Sequence, residues 1–365
     1  MVSGWDAAPD GRHHGAHGAL AAQALGAARD SFLDFSANIN PLGPPEGAIL
    51  AAGRALRGET ATYPDPRYPG LRAALAGYLG VPSETVLPTN GGAEALFLAA
   101  RVAAEGGGRR AVILDPTFSE YAAAARTAGL EPESRIARLP ERGFRLDHAV
   151  LDDLDDVGLV FLCNPNNPTG DLLSGEDVMR ISEKVRAAGA VLVVDEAFAD
   201  FAPGHSVAAK VDERLYVARS FTKFFAVPGL RLGCLVARDP EIAGAFQPSW
   251  PVNVAAAAAG VAAAGDPAFA ETTVSEVEGR RRELLDALYG MGGITTYPGA
   301  ANFLLFRGPE ALPERLARLG VLVRGCDPFP GLGPGFVRVA VRGREENGRL
   351  VSALAEALNE IGGTS

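Results

Sequence analysis

Lys223 lies in the run Ser220-Phe-Thr-Lys-Phe-Phe-Ala-Val-Pro-Gly-Leu-Arg231, with hydroxyls before it, aromatics after it and an arginine eight positions on. An amine that is to form a Schiff base must be desolvated enough to lose its proton, and aromatic and apolar neighbours favour that. Ser220, Thr222 and Arg231 add two hydroxyls and a planar fork of donors, which is the equipment for a phosphate. A lysine Schiff base beside a phosphate is what pyridoxal 5′-phosphate requires. An isolated lysine is more simply a solvated charge in a loop. Two upstream motifs decide against that simpler account.

Asp195 ends an apolar run and is followed by Glu196-Ala-Phe198. A carboxylate there can pair with a protonated pyridine nitrogen and keep the ring an electron sink, or it can cap the next segment. Asn164-Pro-Asn-Asn167-Pro-Thr-Gly170 also follows an apolar run. Its two X-Pro steps and terminal glycine predict a rigid turn that aims the Asn167 amide at a fixed acceptor such as the cofactor's phenolate oxygen. Thr89-Asn-Gly-Gly-Ala-Glu94, before an apolar helix, offers backbone N–H groups and a positive dipole end for a phosphate.

These residues need a scaffold that gathers them. Segments 111–115, 158–163, 190–195 and 214–219 read as strands buried on both faces, and 120–128 and 174–188 as helices between them. That alternation predicts an α/β fold with a mainly parallel sheet covered by helices, whose ligands gather at the carboxyl ends of strands. After about residue 245 the pattern changes to a long helix over 268–289, strands near 302–306, 321 and 337–341, and helices over 313–319 and 344–361. A smaller α+β C-terminal domain is expected, giving an N-terminal arm over 1–40, a large cofactor domain over 41–248 and a small domain over 249–365.

The chain has 365 residues and a formal net charge of −10, with its basic residues scattered. Nucleic acid and anionic membrane surfaces are therefore not expected partners, and a small anionic substrate would need local arginines. Nothing in the sequence approaches the apolar run needed to cross a bilayer. Cys163, Cys234 and Cys326 form neither a metal-ligand spacing nor a disulfide framework, and no secretory leader is read at the N-terminus, so a reducing cytoplasm is expected. His13, His14 and His17 read as part of a flexible arm and not as a metal site.

With these motifs in view, the chain resembles the fold-type I pyridoxal-phosphate enzymes of the aminotransferase superfamily. It is most similar to the threonine-phosphate decarboxylases of cobalamin biosynthesis, which are near the histidinol-phosphate aminotransferases. The likeness runs from His14-Gly15 through Asp34-Phe-Ser-Ala-Asn-Ile-Asn-Pro to Arg338-Val-Ala-Val-Arg342. It implies that Lys223 carries the cofactor, Asp195 partners its pyridine nitrogen and Asn167 reaches its phenolate oxygen. Phe118, in preference to Tyr121, would stack on the ring. Gly92, Ala93, Ser220, Thr222 and Arg231 would form the phosphate cup, completed by Tyr63 from a neighbouring subunit, which implies a homodimer with shared sites. Arg338 would clamp the substrate carboxylate and Arg324 its phosphate, with His14, Asn40 and Arg342 as further candidates at the substrate end.

The bond broken is the Cα bond perpendicular to the cofactor plane, so specificity is orientation. Histidinol-phosphate aminotransferases usually carry a tyrosine where this chain has Phe198, and losing that hydroxyl favours the decarboxylase branch, with transamination as the alternative. His14-Gly-Ala-His17 and Gly325-Cys-Asp-Pro-Phe329 depart from the branch pattern, and Asp327 would repel a phosphate unless Arg324 offsets it. A relative repurposed for elimination or substitution at Cβ or Cγ fits the same lysine and electron sink. A silent cofactor-binding dimer is the reading from a different class.

Overall fold

The computed structural model describes residues 31–362. The expected α/β architecture is present. A seven-stranded sheet has the order β2-β8-β7-β6-β5-β3-β4. Its strands are β2 (Val86–Asn90), β3 (Arg110–Asp115), β4 (Glu131–Ile136), β5 (Val157–Cys163), β6 (Val191–Asp195), β7 (Leu215–Ser220) and β8 (Leu232–Val236). β1 (Leu33–Asp34) lies outside this sheet.

Strand alternation explains why the central runs are continuously apolar. Val112, Leu114, Val160, Leu162, Leu192 and Val194 point into one hydrophobic core, while Ile113, Leu159, Phe161, Val193 and Ala218 point into a second core on the other face. Helices cover both faces, so every position is buried. β3 to β7 pair in parallel, as does β4 on β3. The sheet is nonetheless mixed, because β8 runs antiparallel to both β7 and β2.

The edge strand β4, Glu-Pro-Glu-Ser-Arg-Ile, carries no apolar alternation. It is held by its pairing to β3 and by Glu133, which bridges Arg110 at 2.8 Å and Arg135 at 2.7 Å. Charges on an edge strand discourage further strand addition.

A second sheet, order β12-β13-β10-β9, is antiparallel and comprises β9 (Thr295–Tyr297), β10 (Phe303–Arg307), β12 (Arg324–Gly325) and β13 (Phe336–Ala340). β1 pairs in parallel with β11 (Val321–Leu322). Phe35 thereby joins a separate core with Leu304, Phe306, Val337, Val339, Leu350 and Leu354. The helix Val254–Ala264 packs into the large core through Ala255, Ala256 and Ala259. The helix Pro267–Tyr289 spans both units, with Val277 in the large core and Leu284 and Leu288 in the small one. A division at 248/249 thus leaves one helix of the large core on the small side. Among the described residues no helix is long and apolar enough to cross a membrane.

Candidate active site

The parallel strands β5, β6 and β7 end at a cavity of about 440 Å³. Twelve of the residues expected at the site line it together: Gly92, Ala93, Phe118, Asn167, Asp195, Phe198, Ser220, Thr222, Lys223, Arg231, Arg324 and Arg338. They come from positions spread over most of the chain, so their convergence is a property of the fold.

Lys223 follows β7 with its Nζ 3.4 Å from the Ser220 hydroxyl and 5.5 Å from the centre of the Phe198 ring. Burial pushes its amine below the ordinary lysine range; the Asp195 carboxylate opposes that shift and the Arg231 charge adds to it. The chain has only three lysines. Lys210 is exposed and Lys184 pairs with Asp152, so among the lysines only Lys223 faces the cavity.

Asp195 is buried at the end of β6, where its Oδ1 accepts from the Ala197 N–H at 2.9 Å and its Oδ2 from the Tyr121 hydroxyl at 2.8 Å. Burial raises its pKa, while the Lys223 charge and then the Tyr121 hydrogen bond hold it down. The adjacent Glu196 turns the other way, accepting from Arg219 at 2.7 Å and from the Val207 N–H at 2.7 Å. Arg219 also pairs with Asp200, which takes the Tyr78 hydroxyl at 2.9 Å. These buried partners tie the end of β6 to the end of β7 and so fix Asp195 relative to Ser220.

The end of the cavity expected to take a phosphate rests on close backbone approach. The helix Gly91–Ala104 starts against the end of β7, and a Cβ built on Gly92 would meet the Ser220 Cβ at 2.9 Å. Gly91 has φ +79°, and a Cβ there would meet the Arg231 guanidinium at 2.7 Å. Only glycine leaves the free N–H groups of the helix start open to the cavity. The Ser220 and Thr222 hydroxyls lie 2.9 Å apart beside it.

The three asparagines of the turn divide their work. Asn164 holds Leu173 through both its amide atoms, and Asn166 donates to the Pro116 carbonyl at 2.9 Å and to Thr169 at 2.8 Å. Asn167 faces the cavity, its Oδ1 accepting from Arg338. Arg338 also donates to the Ser36 carbonyl at 2.7 Å, and its Nε is buried with no hydrogen-bond partner among the described residues. Burial pushes its guanidinium down to about 10, the neighbouring Arg324 acting in the same direction. Arg324 and Arg338 are cross-strand partners on β12 and β13, each buried and each over an aromatic ring, Phe329 and Phe303 respectively.

Some expected residues lie elsewhere. Asn40 is held by other partners: its amide nitrogen donates to the Phe224 carbonyl at 2.7 Å and to Thr273 at 3.1 Å, and its oxygen accepts from the Leu42 N–H, so it braces the lysine loop and is not among the residues lining the cavity. Asn38 and Ile39 line it instead. Arg342 is occupied by Glu346 at 2.9 Å and the Asp34 carbonyl at 2.9 Å. Asp327 is not among the residues lining the cavity. Tyr63 is 79 % exposed and stacks on Trp250, away from its own chain's cavity. His14 and His17 lie outside the described residues. Tyr121, weighed as a stacking ring, is fully buried on Phe161 and bonded to Asp195, leaving Phe118 as the aromatic face on the cavity. Apolar spacing in the Glu120–Thr127 helix could have marked Tyr121 as inward-facing, but not its partner.

The site fits pyridoxal phosphate: one desolvated amine, a glycine cradle that any Cβ would fill, hydroxyls beside it and a buried carboxylate in the same cavity. Residues 30–354 match the family "Aminotransferase class I and II". The chain is 38 % identical over 361 residues to threonine-phosphate decarboxylase of Salmonella typhimurium, covering 95 % of this chain and 97 % of that protein. It is 36 % identical over 333 residues to histidinol-phosphate aminotransferase of Symbiobacterium thermophilum, covering 88 % and 90 %. The crystal structure of histidinol-phosphate aminotransferase from Clostridium acetobutylicum superposes with a TM-score of 0.82 at 27 % identity, covering 90 % of this chain and 99 % of that one.

Proposed function

The chain belongs to the class I and II aminotransferases, the pyridoxal-phosphate enzymes of fold type I, and on that premise we propose that it decarboxylates L-threonine O-3-phosphate to aminopropanol phosphate. Pyridoxal phosphate is its cofactor, supplying the electron sink for cleavage at Cα. Its chemistry is that of the family, on an amino-acid or phosphate-bearing substrate.

In this reading Lys223 makes the covalent link and moves the proton at Cα, while Asp195 holds the pyridine nitrogen. Asn167 and Phe118 fix the ring, and Gly92, Ala93, Ser220, Thr222 and Arg231 hold the phosphate. Arg338 takes the substrate carboxylate and Arg324 the distal phosphate, the bidentate geometry suiting both anions. Two buried arginines side by side on β12 and β13 support a substrate with two anionic ends.

Phe198 carries the choice of reaction. Its ring packs edge-on against Phe303 at 5.1 Å and lies 5.5 Å from the Lys223 amine, so that side of the reacting centre is apolar and offers no hydroxyl. A carboxylate turned towards such a wall loses hydration, which favours its departure as CO2.

Transamination of histidinol phosphate is the second reading. Histidinol-phosphate aminotransferases recur among the relatives, at 35 to 37 % identity in four of them, and one gives the TM-score of 0.82. On relatives it is the better supported of the two; on the local chemistry of Phe198, decarboxylation is.

Incubation with threonine phosphate should release CO2 and aminopropanol phosphate with no oxo acid added. Conversion of histidinol phosphate that requires 2-oxoglutarate, with no CO2 from threonine phosphate, would replace the first reading by the second. Release of the phosphate or another Cβ substituent would point to elimination.

The working form in this proposal is a homodimer in the cytoplasm. Exposed Tyr63 stacked on exposed Trp250 supports a contact across subunits, and three free, buried cysteines are compatible with a reducing compartment.

A further inference from the structure

We propose that Tyr121 is a positioning residue for the cofactor: its hydroxyl fixes the Asp195 carboxylate and keeps it ionised, so that Asp195 can hold the pyridine nitrogen protonated. This rests on pyridoxal phosphate being bound at Lys223.

Each Asp195 oxygen accepts from a neutral donor, Oδ1 from the Ala197 N–H at 2.9 Å and Oδ2 from the Tyr121 hydroxyl at 2.8 Å. Burial by itself favours the neutral acid, and hydrogen bonds donated to the carboxylate favour the anion. The backbone donor is fixed by the chain; the second depends on one side chain. Other titratable groups around Asp195 do different work. Lys223 is committed to the covalent link, Glu196 turns to Arg219, and the Cys163 thiol, pushed up to about 12 by burial, stays protonated. Burial and then the Asp195 charge raise the Tyr121 phenol well above its ordinary value, so it remains a donor at any working pH.

The ring of Tyr121 has little freedom. It stacks on Phe161 at 4.8 Å with 10° between planes and meets Phe118 edge-on at 5.7 Å. Tyr121 and Phe118 belong to one short segment, Phe118 entering the cavity as Tyr121 reaches Asp195. One piece of chain therefore sets both the face and the nitrogen edge of the ring.

Tyr121→Phe keeps the ring and its stacking and removes only the donor. Two readouts apply: the dissociation constant of pyridoxal phosphate, followed by fluorescence, and the 15N resonance of cofactor labelled at the pyridine nitrogen. Without the donor Asp195 becomes more basic and takes the proton, so the resonance should move towards neutral pyridine and the dissociation constant rise about 10-fold. Placing 3-fluorotyrosine at position 121 strengthens the donor at nearly constant size; the dissociation constant should fall and the apparent pKa of the visible absorbance should move opposite to that of Tyr121→Phe. Unchanged nitrogen resonance and affinity in Tyr121→Phe, or unchanged affinity and absorbance pKa in the fluorinated protein, overturn the positioning role. Failure of the unaltered chain to take up the cofactor would instead overturn the functional reading on which it rests.

Discussion

Arg338 donates to the side-chain Oδ1 of Asn167, which joins the β12–β13 sheet to the turn after β5 in the lining of the cavity. The contact settles the orientation of the Asn167 amide, whose oxygen faces the arginine and whose NH2 group is left for the cofactor side. The same guanidinium reaches the Ser36 carbonyl. A planar fork can hold both acceptors and still present an edge to a carboxylate; an ammonium cannot.

Arg338→Lys should therefore lower kcat/KM by roughly 100-fold, the cost of breaking a buried, hydrogen-bonded charge contact. Most of the effect should appear in KM, with cofactor content unchanged. Steady-state kinetics beside a cofactor assay separates the two; equal loss of cofactor would remove Arg338 from the substrate end.

Lys223→Ala should abolish borohydride trapping of pyridoxal phosphate. Because the only other lysines are Lys184 and Lys210, peptide mapping of the trapped native protein gives an unambiguous answer. A labelled peptide containing either of those two would sink the assignment.

The pH dependence of cofactor capture has a defined sign. Burial and the Arg231 charge lower the Lys223 pKa, so the neutral, nucleophilic amine is present at lower pH than for a free lysine. The rate of covalent capture by the apoprotein should rise with pH and level off below the ordinary lysine value of about 10.4. Arg231→Met removes one depressing charge and should move that midpoint upwards. A downward shift in stopped-flow absorbance would contradict the electrostatic account.

Gly92→Ala places a Cβ 2.9 Å from that of Ser220, forcing the helix start away from the end of β7. Backbone donors then miss the phosphate, and affinity for pyridoxal phosphate should fall about 10-fold or more, as expected for losing one charge-assisted hydrogen bond. Pyridoxal without its phosphate should bind both proteins alike, and equal weakening of the two ligands would place the damage elsewhere.

Mixing Tyr63→Phe with Lys223→Ala subunits tests site sharing. If Tyr63 acts across the interface, a mixed dimer holds one site with both residues intact. Activity should then rise above that of either parent, by assay after co-refolding. No recovery in dimers shown to be mixed and cofactor-loaded would confine Tyr63 to another role.

Much of this was readable in the sequence, for physical reasons. β3, β5, β6 and β7 are buried on both faces and so appear as unbroken apolar runs, and the Lys223, Asp195 and Asn167 motifs sit at or after their carboxyl ends. β4 was not readable, because its order comes from pairing to β3 and from Glu133, not from apolar alternation. β8 was not singled out, because it follows the Lys223 run directly and its antiparallel pairing with β7 and β2 is a contact that the sequence does not show. The bracing contacts of Asn40 were not readable, because sequence shows an amide but not its partners, here Phe224 and Thr273. Tyr121 and Arg219 were invisible as supports for the same reason: their roles are long-range contacts with Asp195, Glu196 and Asp200.

The arginines proposed for the substrate stand on the four-stranded sheet, while Asp195 and Lys223 stand at the carboxyl ends of two interior strands of the seven-stranded one. A ligand linked at one end and gripped at the other is then a strut between two separately packed cores. The helix Pro267–Tyr289, rooted in both, is the beam that such a strut would load. Filling the site should then bring the unfolding of the two cores together, seen by calorimetry as a single transition at higher temperature.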